Sequence, residues 1–330
     1  MKIKNNRNNS FFQYAALYGF NTIVDPEKRK KSLLRFCQDN KVLGTFLIAN
    51  EGINGTVSGK PDNIENVIKF IKNWNEIKDL EVKYSNSSKN GFYRMKVKVK
   101  KEIVTMGIPF IDPNNNKGKY IEPKEWNDLI SKDDVIVIDT RNFYETSIGK
   151  FTNSIIPETR TFRDFPQWAD NFAKNKINKT KKIAMYCTGG IRCEKATSYM
   201  KEKGFDEVYH LKGGILKYLE TVPKTESNWE GDCFVFDQRV SVKQDLKQGE
   251  YKQCYACKMP LSKKDYQDKN YIEGVSCLYC HDKLTNEQKN RFAQRQKQIS
   301  LSKSRGEGHL GHESPSFKKI NSKIGRASCR

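Results

Sequence analysis

Three observations predict a multidomain α/β protein. The first 110 residues alternate strand and helix signals, the stretch from Tyr120 to about Val222 sets continuous apolar strands between helices, and from Glu226 the chain breaks into short cysteine-containing segments. The expected divisions are a basic N-terminal domain over 1–111, a linker over 112–119, a central domain over 120–225, a cysteine-rich metal-binding region over 226–290, and a basic helix with a disordered tail over 291–330.

In the first domain Phe11 to Gly19 and Val42 to Ala49 read as strands, with a helix from Pro26 to Gln38 between them. Asp25 suits the N-cap, Pro26 the first helical position, and Leu33, Leu34 and Cys37 share one face. The run Asn50-Glu51-Gly52-Ile53-Asn54-Gly55 turns the chain into a strand at Thr56 to Ser58. A second helix, Asp62 to Trp74, follows from Ile64, Val67, Ile68, Ile71 and Trp74 at three-to-four spacing. Strands at Glu81 to Tyr84 and Tyr93 to Val99 complete a βαββαβ order with one extra strand. That order fits a ferredoxin-like α+β sandwich.

After the linker Asp112-Pro113-Asn114-Asn115-Asn116-Lys117-Gly118 comes a helix with Pro123 early and Trp126, Leu129 and Ile130 inward. Strands follow at Val135 to Ile138, Ile183 to Tyr186 and Glu207 to Leu211, with a helix from Cys193 to Lys203. Continuous apolar strands separated by helices imply a parallel sheet covered on both faces, where ligands bind beyond the carboxyl ends of strands. Residues 187–193, Cys-Thr-Gly-Gly-Ile-Arg-Cys, stand at such an end. Thr188, Gly189, Gly190 and Ile191 supply a cradle of backbone amides, and Arg192 supplies a cation. Both favour a Cys187 thiolate. A tyrosine-phosphatase loop places five residues between cysteine and arginine and so holds a phosphate. The four here make a tighter ring, suited to a terminal sulfur. Cys193 admits two readings: a small buried residue sharing a face with Ala196, Thr197 and Met200, or a resolving thiol that attacks a Cys187 persulfide.

Cys254-Tyr-Ala-Cys257 and Cys277-Leu-Tyr-Cys280 are two Cys-x2-Cys knuckles separated by nineteen residues. Their spacing matches a closed four-thiolate structural zinc site in a small zinc-ribbon-like region, with redox dithiols as the competing reading. His281 is not needed to close the shell. No pair of histidines with a carboxylate suggests iron, and no Gly-x-Gly-x-x-Gly run suggests a flavin or dinucleotide.

Charge is concentrated at the ends. Residues 1–110 carry 20 Lys+Arg against 10 Asp+Glu, residues 291–330 carry 10 against 2, and the rest is nearly neutral within a total of +21. A polyanion held by the ends would leave Cys187 free for chemistry, although a Lys-rich chain kept soluble by charge has the same composition. Met1 to Ser10 is polar and lacks the apolar core of a signal peptide, and no stretch approaches about eighteen apolar residues. A cytoplasmic protein with no membrane partner is expected, and its nine cysteines then point to metal or thiol chemistry.

The Cys187 loop, with Asp139-Thr140-Arg141, Glu145 and Gly149 before it and Leu211-Lys212-Gly213-Gly214-Ile215 after it, resembles a rhodanese domain; Lys150 stands where histidine is usual. Together with Ile48-Ala-Asn-Glu-Gly-Ile-Asn-Gly-Thr-Val57 and Gly231-Asp-Cys-Phe-Val-Phe-Asp-Gln-Arg-Val240, the chain from about residue 10 to 305 resembles the bacterial rhodanese-containing tRNA uridine 5-hydroxylases. The resemblance implies a rhodanese-like central domain. It also implies oxygen-dependent conversion of the wobble uridine (position 34) to 5-hydroxyuridine, with Cys187 as the persulfide-forming residue, O2 as co-substrate, and an electron donor that the residues do not name. A sulfur-donor protein or small sulfane-sulfur donor would load Cys187. Arg160, Phe162, Arg163, Phe165 and Trp168 are candidates for tRNA contact, with lid or core packing as the alternative for the aromatics. Two other functions fit the residues: a sulfurtransferase acting on a thiol acceptor or tRNA, and a non-catalytic RNA-binding module.

Overall fold

The computed structural model describes residues 11–306 apart from Lys89 and Phe110. The tail expected to be disordered, with His309, His312 and Cys329, lies outside the described residues. The chain divides into two compact units, one running to Lys252 and the other starting at Gln253.

Strand β1 (Phe12–Phe20), helix α1 (Pro26–Asp39), β2 (Leu43–Ala49), β3 (Gly52–Gly59), α2 (Pro61–Lys72), β4 (Glu81–Ser87) and β5 (Met95–Val99) follow in the expected order. They build one sheet, β4-β1-β3-β2-β5, in which β5 runs parallel to β2 and the other neighbours are antiparallel. Asp25 caps α1 by accepting the Lys28 amide at 2.9 Å. Period-two alternation then sorts the sheet into two faces. Ala15, Leu17, Phe46, Ile48, Ile53 and Val57 pack against Leu33, Ile64, Val67 and Ile71 of the two helices. Tyr14, Ala16, Tyr18, Thr45, Asn54, Thr56 and Lys83 line cavities shared with the middle domain.

The middle domain begins inside the expected linker. Helix α3 (Pro113–Asn116) and β6 (Lys119–Ile121) are followed by α4 (Pro123–Ile130), β7 (Val135–Asp139), α5 (Phe143–Thr146) and β8 (Gly149–Phe151). Next come α6 (Phe165–Ala173), α7 (Lys176–Lys179), β9 (Lys182–Tyr186), α8 (Ile191–Glu202), β10 (Val208–Leu211) and α9 (Gly214–Thr221). A parallel sheet runs β6-β10-β9-β7. Strand β9 divides its side chains between two cores, Ile183 and Met185 with Phe165 and Met200, Ala184 and Tyr186 with Trp126 and Tyr218.

Two expected boundaries are corrected. The 112–119 segment is not a free linker: the Gly118 amide donates to Thr197 Oγ1 at 3.0 Å, and a side chain at Gly118 would press on the Val208 carbonyl and on Thr197. Close backbone approach, rather than looseness, explains its glycine. Nor does the cysteine-rich region start at 226. Strand β11 (Trp229–Gly231) pairs antiparallel with β8, and a small hairpin of β12 (Cys233–Phe234) and β13 (Ser241–Val242) follows. Trp229, Cys233, Val235 and Val242 complete the core around Phe151 and Tyr186. The apolar face of these short strands is what places them.

In the second unit Cys254, Cys277 and Cys280 are buried around Leu261, with Tyr266 and Tyr271 packed beside them. Helix α10 (Asn286–Ser304) starts before the expected Phe292, because Thr285 and Gln288 form a reciprocal capping box. Among the described residues no helix is long and apolar enough to cross a membrane.

Trp229→Ala should lower the stability of the middle domain by about 3 kcal/mol, as read from urea unfolding; a loss near zero would detach residues 229–242 from that core.

Candidate functional site

The loop from Cys187 to Arg192 leaves the carboxyl end of β9 and enters α8. Gly190 adopts φ +100 as the residue before that helix, and its amide donates to Cys187 Sγ at 3.0 Å. Only a glycine takes this backbone conformation without strain. Gly189 differs: a side chain there would meet nothing, so the pair of glycines divides into one that the turn requires and one that it does not. The second glycine pair locks the loop from below. Ile215 and Leu216 amides donate to the Cys187 and Thr188 carbonyls at 3.0 and 3.1 Å, and a Cβ on Gly214 would lie 2.5 Å from the Cys187 carbonyl oxygen.

Charge at the loop is paired in layers. Arg192 donates through both terminal nitrogens to the two oxygens of buried Glu145, each at 2.6 Å, and Thr188 donates to the same carboxylate at 3.3 Å. Behind them Arg141 binds Asp139 and donates to the Glu145 and Gly149 carbonyls at 3.2 and 2.6 Å. Asp139 and Arg141 are thus supports, whereas Glu145 directly fixes the loop cation.

Cys187 is fully buried, and burial alone pushes its thiol up. The Cys193 thiol, the Arg192 charge, and the amides of Cys193 and Arg192 outweigh burial and bring it down to about 6. The same exchange pushes Cys193 far up, by its own burial and by its contact with Cys187. Cys193 lies 3.6 Å from Thr140 Oγ1 in the core with Ala196 and Met200.

Above the loop is a cavity of about 420 Å³. Cys187, Thr188, Gly189, Ile191 and Arg192 form one side and the open face of the N-terminal sheet the other, with Phe92, Phe162 and Phe236 on the walls. Small residues hollow that sheet face: Ala16, Thr56 and Thr45 lie side by side across β1, β3 and β2.

The expected tRNA-contact residues separate. Phe162 lines the cavity, Arg160 and Arg163 are exposed and are not among its lining residues, and Trp168 stacks on Phe172 at 5.0 Å within the core. Trp168 is therefore a packing residue, drawn inward by the apolar face of α6. Sequence reasoning missed Phe236, 58% exposed and 6.0 Å from the Arg192 guanidinium, although it lies in the quoted 231–240 run. It also missed Lys83, which nothing in a lysine-rich sequence distinguishes.

Cys254, Cys257, Cys277 and Cys280 form a separate site that could hold a metal ion, with sulfur atoms all within 4.8 Å of one another. Pairs stand at 3.6, 3.8 and 4.0 Å. Tetrahedral zinc at about 2.3 Å from each sulfur requires separations near 3.8 Å, so the four thiols fit such an ion.

The fold and the loop define a sulfur-handling α/β domain joined to an acylphosphatase-like one. Residues 12–103 match the family model described as the UPF0176 acylphosphatase like domain, and residues 122–221 match the rhodanese-like domain. Together the two matches make the domain architecture of the UPF0176 family. Solved structures resemble single domains. The rhodanese-like domain of an Anabaena protein is 17% identical, covering 34% of this chain and 78% of that one, with a TM-score of 0.28. A rhodanese-related protein from Thermoplasma volcanium is 21% identical, covering 32% and 93%, at 0.26. An acylphosphatase from Bacillus subtilis is 16% identical, covering 26% and 97%, at 0.22. The rhodanese-like domain makes the chain a candidate for catalysis of sulfur-related chemistry.

Alkylation of Cys187 by iodoacetamide should rise as pH increases through about 6, because the thiol below that value is protonated and inert. Arg192→Met should move the midpoint upward by about one unit; an unchanged midpoint would remove Arg192 from thiolate stabilisation.

Proposed function

We propose that the protein is a tRNA-modifying oxidoreductase that converts the wobble uridine to 5-hydroxyuridine with O2, using a persulfide on Cys187. The observation that carries the reading is the cavity above Cys187, walled by both the N-terminal sheet and the loop. A rhodanese domain passing sulfur to a small thiol needs no second domain over its cysteine, whereas an unstacked base needs a walled slot. Phe236 and Phe162 offer aromatic surface beside the loop, and Thr45, Asn54 and Thr56 offer polar groups across from it. The positive N-terminal domain and basic α10 supply charge for phosphates.

In this mechanism the Cys187 thiolate takes sulfane sulfur from a donor, and the outer sulfur projects by about 2 Å from the buried cradle into the cavity. Arg192, held by Glu145, keeps the inner sulfur in place. One oxygen atom of O2 enters at C5 of the uracil and the other leaves as water, with two electrons and two protons drawn from a reductant outside the chain. The aromatic walls exclude bulk water while the base is held. The four-cysteine site would bind zinc and hold the second unit together, because a closed thiolate shell leaves no position for substrate.

Incubation of the purified protein with unmodified tRNA, a sulfane-sulfur donor, a reductant and O2, followed by nucleoside mass spectrometry, should yield 5-hydroxyuridine. Cys187→Ser should abolish it with tRNA affinity near that of the wild type. Formation of 2-thiouridine instead would make the protein a tRNA sulfurtransferase. Metal analysis should find about one zinc per chain, and Cys254→Ser should lose it and unfold the second unit first on heating; a metal-free, equally stable wild-type protein would eliminate the zinc site.

A further inference from the structure

Three cations line the cavity above Cys187, and only two are neutralised. Arg192 is paired with Glu145, and Arg239 with Asp237 at 2.6 Å. The third, Lys83 on β4, has no hydrogen-bonding or ion-pair partner for its ammonium among the described residues; its contact is with the Tyr18 ring, 5.1 Å from Nζ to the centroid. Tyr18 stands against the loop: a Cβ built on Gly190 would lie 2.9 Å from its hydroxyl, and that hydroxyl donates to Glu194 at 3.0 Å. Lys83 Cε likewise lies 3.3 Å from where a Cβ on Gly213 would stand. The ammonium thus lies over the rim made by the two glycine turns that hold Cys187. Burial lowers its pKa, and Glu81 on its own strand, Cys187 on the loop and Glu194 on α8 oppose that shift, while Lys217 on α9 adds to it.

An unpaired, partly desolvated cation is costly unless an anion visits it. The resting thiolate is already served by the loop amides and Arg192. When the Cys187 thiolate attacks the outer sulfur of thiosulfate, a new S–S bond forms, the old one breaks, and sulfite departs with the bonding pair. The negative charge then sits on the outer sulfur, about 2 Å farther into the cavity and away from the cradle. We propose that Lys83, supplied by the N-terminal domain, is the counter-ion of that outer perthiolate sulfur. The assignment rests on the sulfur-carrying role of Cys187 and is independent of tRNA and of hydroxylation.

The test compares wild type, Lys83→Met and Lys83→Arg in the full chain. Each is loaded with thiosulfate, and alkylation by iodoacetamide is followed against pH by intact mass, which separates the persulfide adduct from the thiol adduct. In Lys83→Met the perthiolate midpoint should rise by about one pH unit and loading by the dianionic donor should slow about tenfold. Lys83→Arg should restore both, and the midpoint of the unloaded thiol should move less than that of the perthiolate. A loaded Lys83→Met protein with the wild-type perthiolate profile would overturn the assignment while leaving the persulfide intact. Equal displacement of the thiol and perthiolate midpoints would overturn it in favour of a general structural effect. A wild type that takes up no sulfur would remove the persulfide reading and this assignment together.

Discussion

Everything at the site depends on a helix buried on all sides. Arg192 to Met200, nine successive residues of α8, are buried, including three charged side chains in its first turn and a half. Such a helix has no amphipathic stripe to orient it. Its position is set by where its charges find partners: Arg192 in Glu145 behind the loop, Glu194 in the hydroxyls of Tyr18 and Tyr120 at 3.0 and 2.8 Å, and Lys195 in Glu51 and Glu102 at 2.7 Å each. Two of the three sets reach the N-terminal domain. The start of this helix therefore orients the loop cation and fastens the covering sheet, and loss of Glu145 would leave the buried Arg192 charge uncompensated.

That arrangement gives physical meaning to the run Ile48 to Val57. Glu51 accepts the Ile103 amide at 2.7 Å and holds Lys195, while the Asn54 side-chain amide donates to the Ile103 carbonyl at 2.9 Å. Glu51 in the turn between β2 and β3, with Asn54 in β3, thus ties the chain after β5 to the start of α8. That tie fixes the height of the sheet above Cys187, and with it the depth of the cavity.

The legible parts of the sequence were those governed by local rules. Apolar patterning and helix spacing placed the elements of the N-terminal sheet in their order, because burial there is one-sided, but β3 starts at Gly52, inside the Asn- and Gly-rich run read as a turn. The cysteine loop and the two knuckles were legible because each packs its chemistry into a few consecutive positions. The sequence could not show which separated residues meet. Lys83 and Phe236 belong to the cavity only through the docking of a sheet and a hairpin on the loop, and Trp168 left it because the rings of α6 pack inward. Residues 229–242 were misassigned for a related reason: strands of two or three residues carry too little periodicity to reveal their partner. Gly118 looked like a linker residue because tight contact and flexibility call for the same amino acid.

Cys193 shows how geometry limits a role that spacing left open. A resolving thiol must attack as thiolate. Burial and the neighbouring Cys187 charge both oppose that form at Cys193, and the Thr140 and Arg192 influences that favour it are weaker. The two thiols titrate as a pair, with the first proton lost from Cys187 and the second held at Cys193. In the resting state the thiolate sits at Cys187, and Cys193 stays protonated. Moving the negative charge outward onto a second sulfur lowers the cost of ionising Cys193, so any attack by it belongs after sulfur loading rather than before.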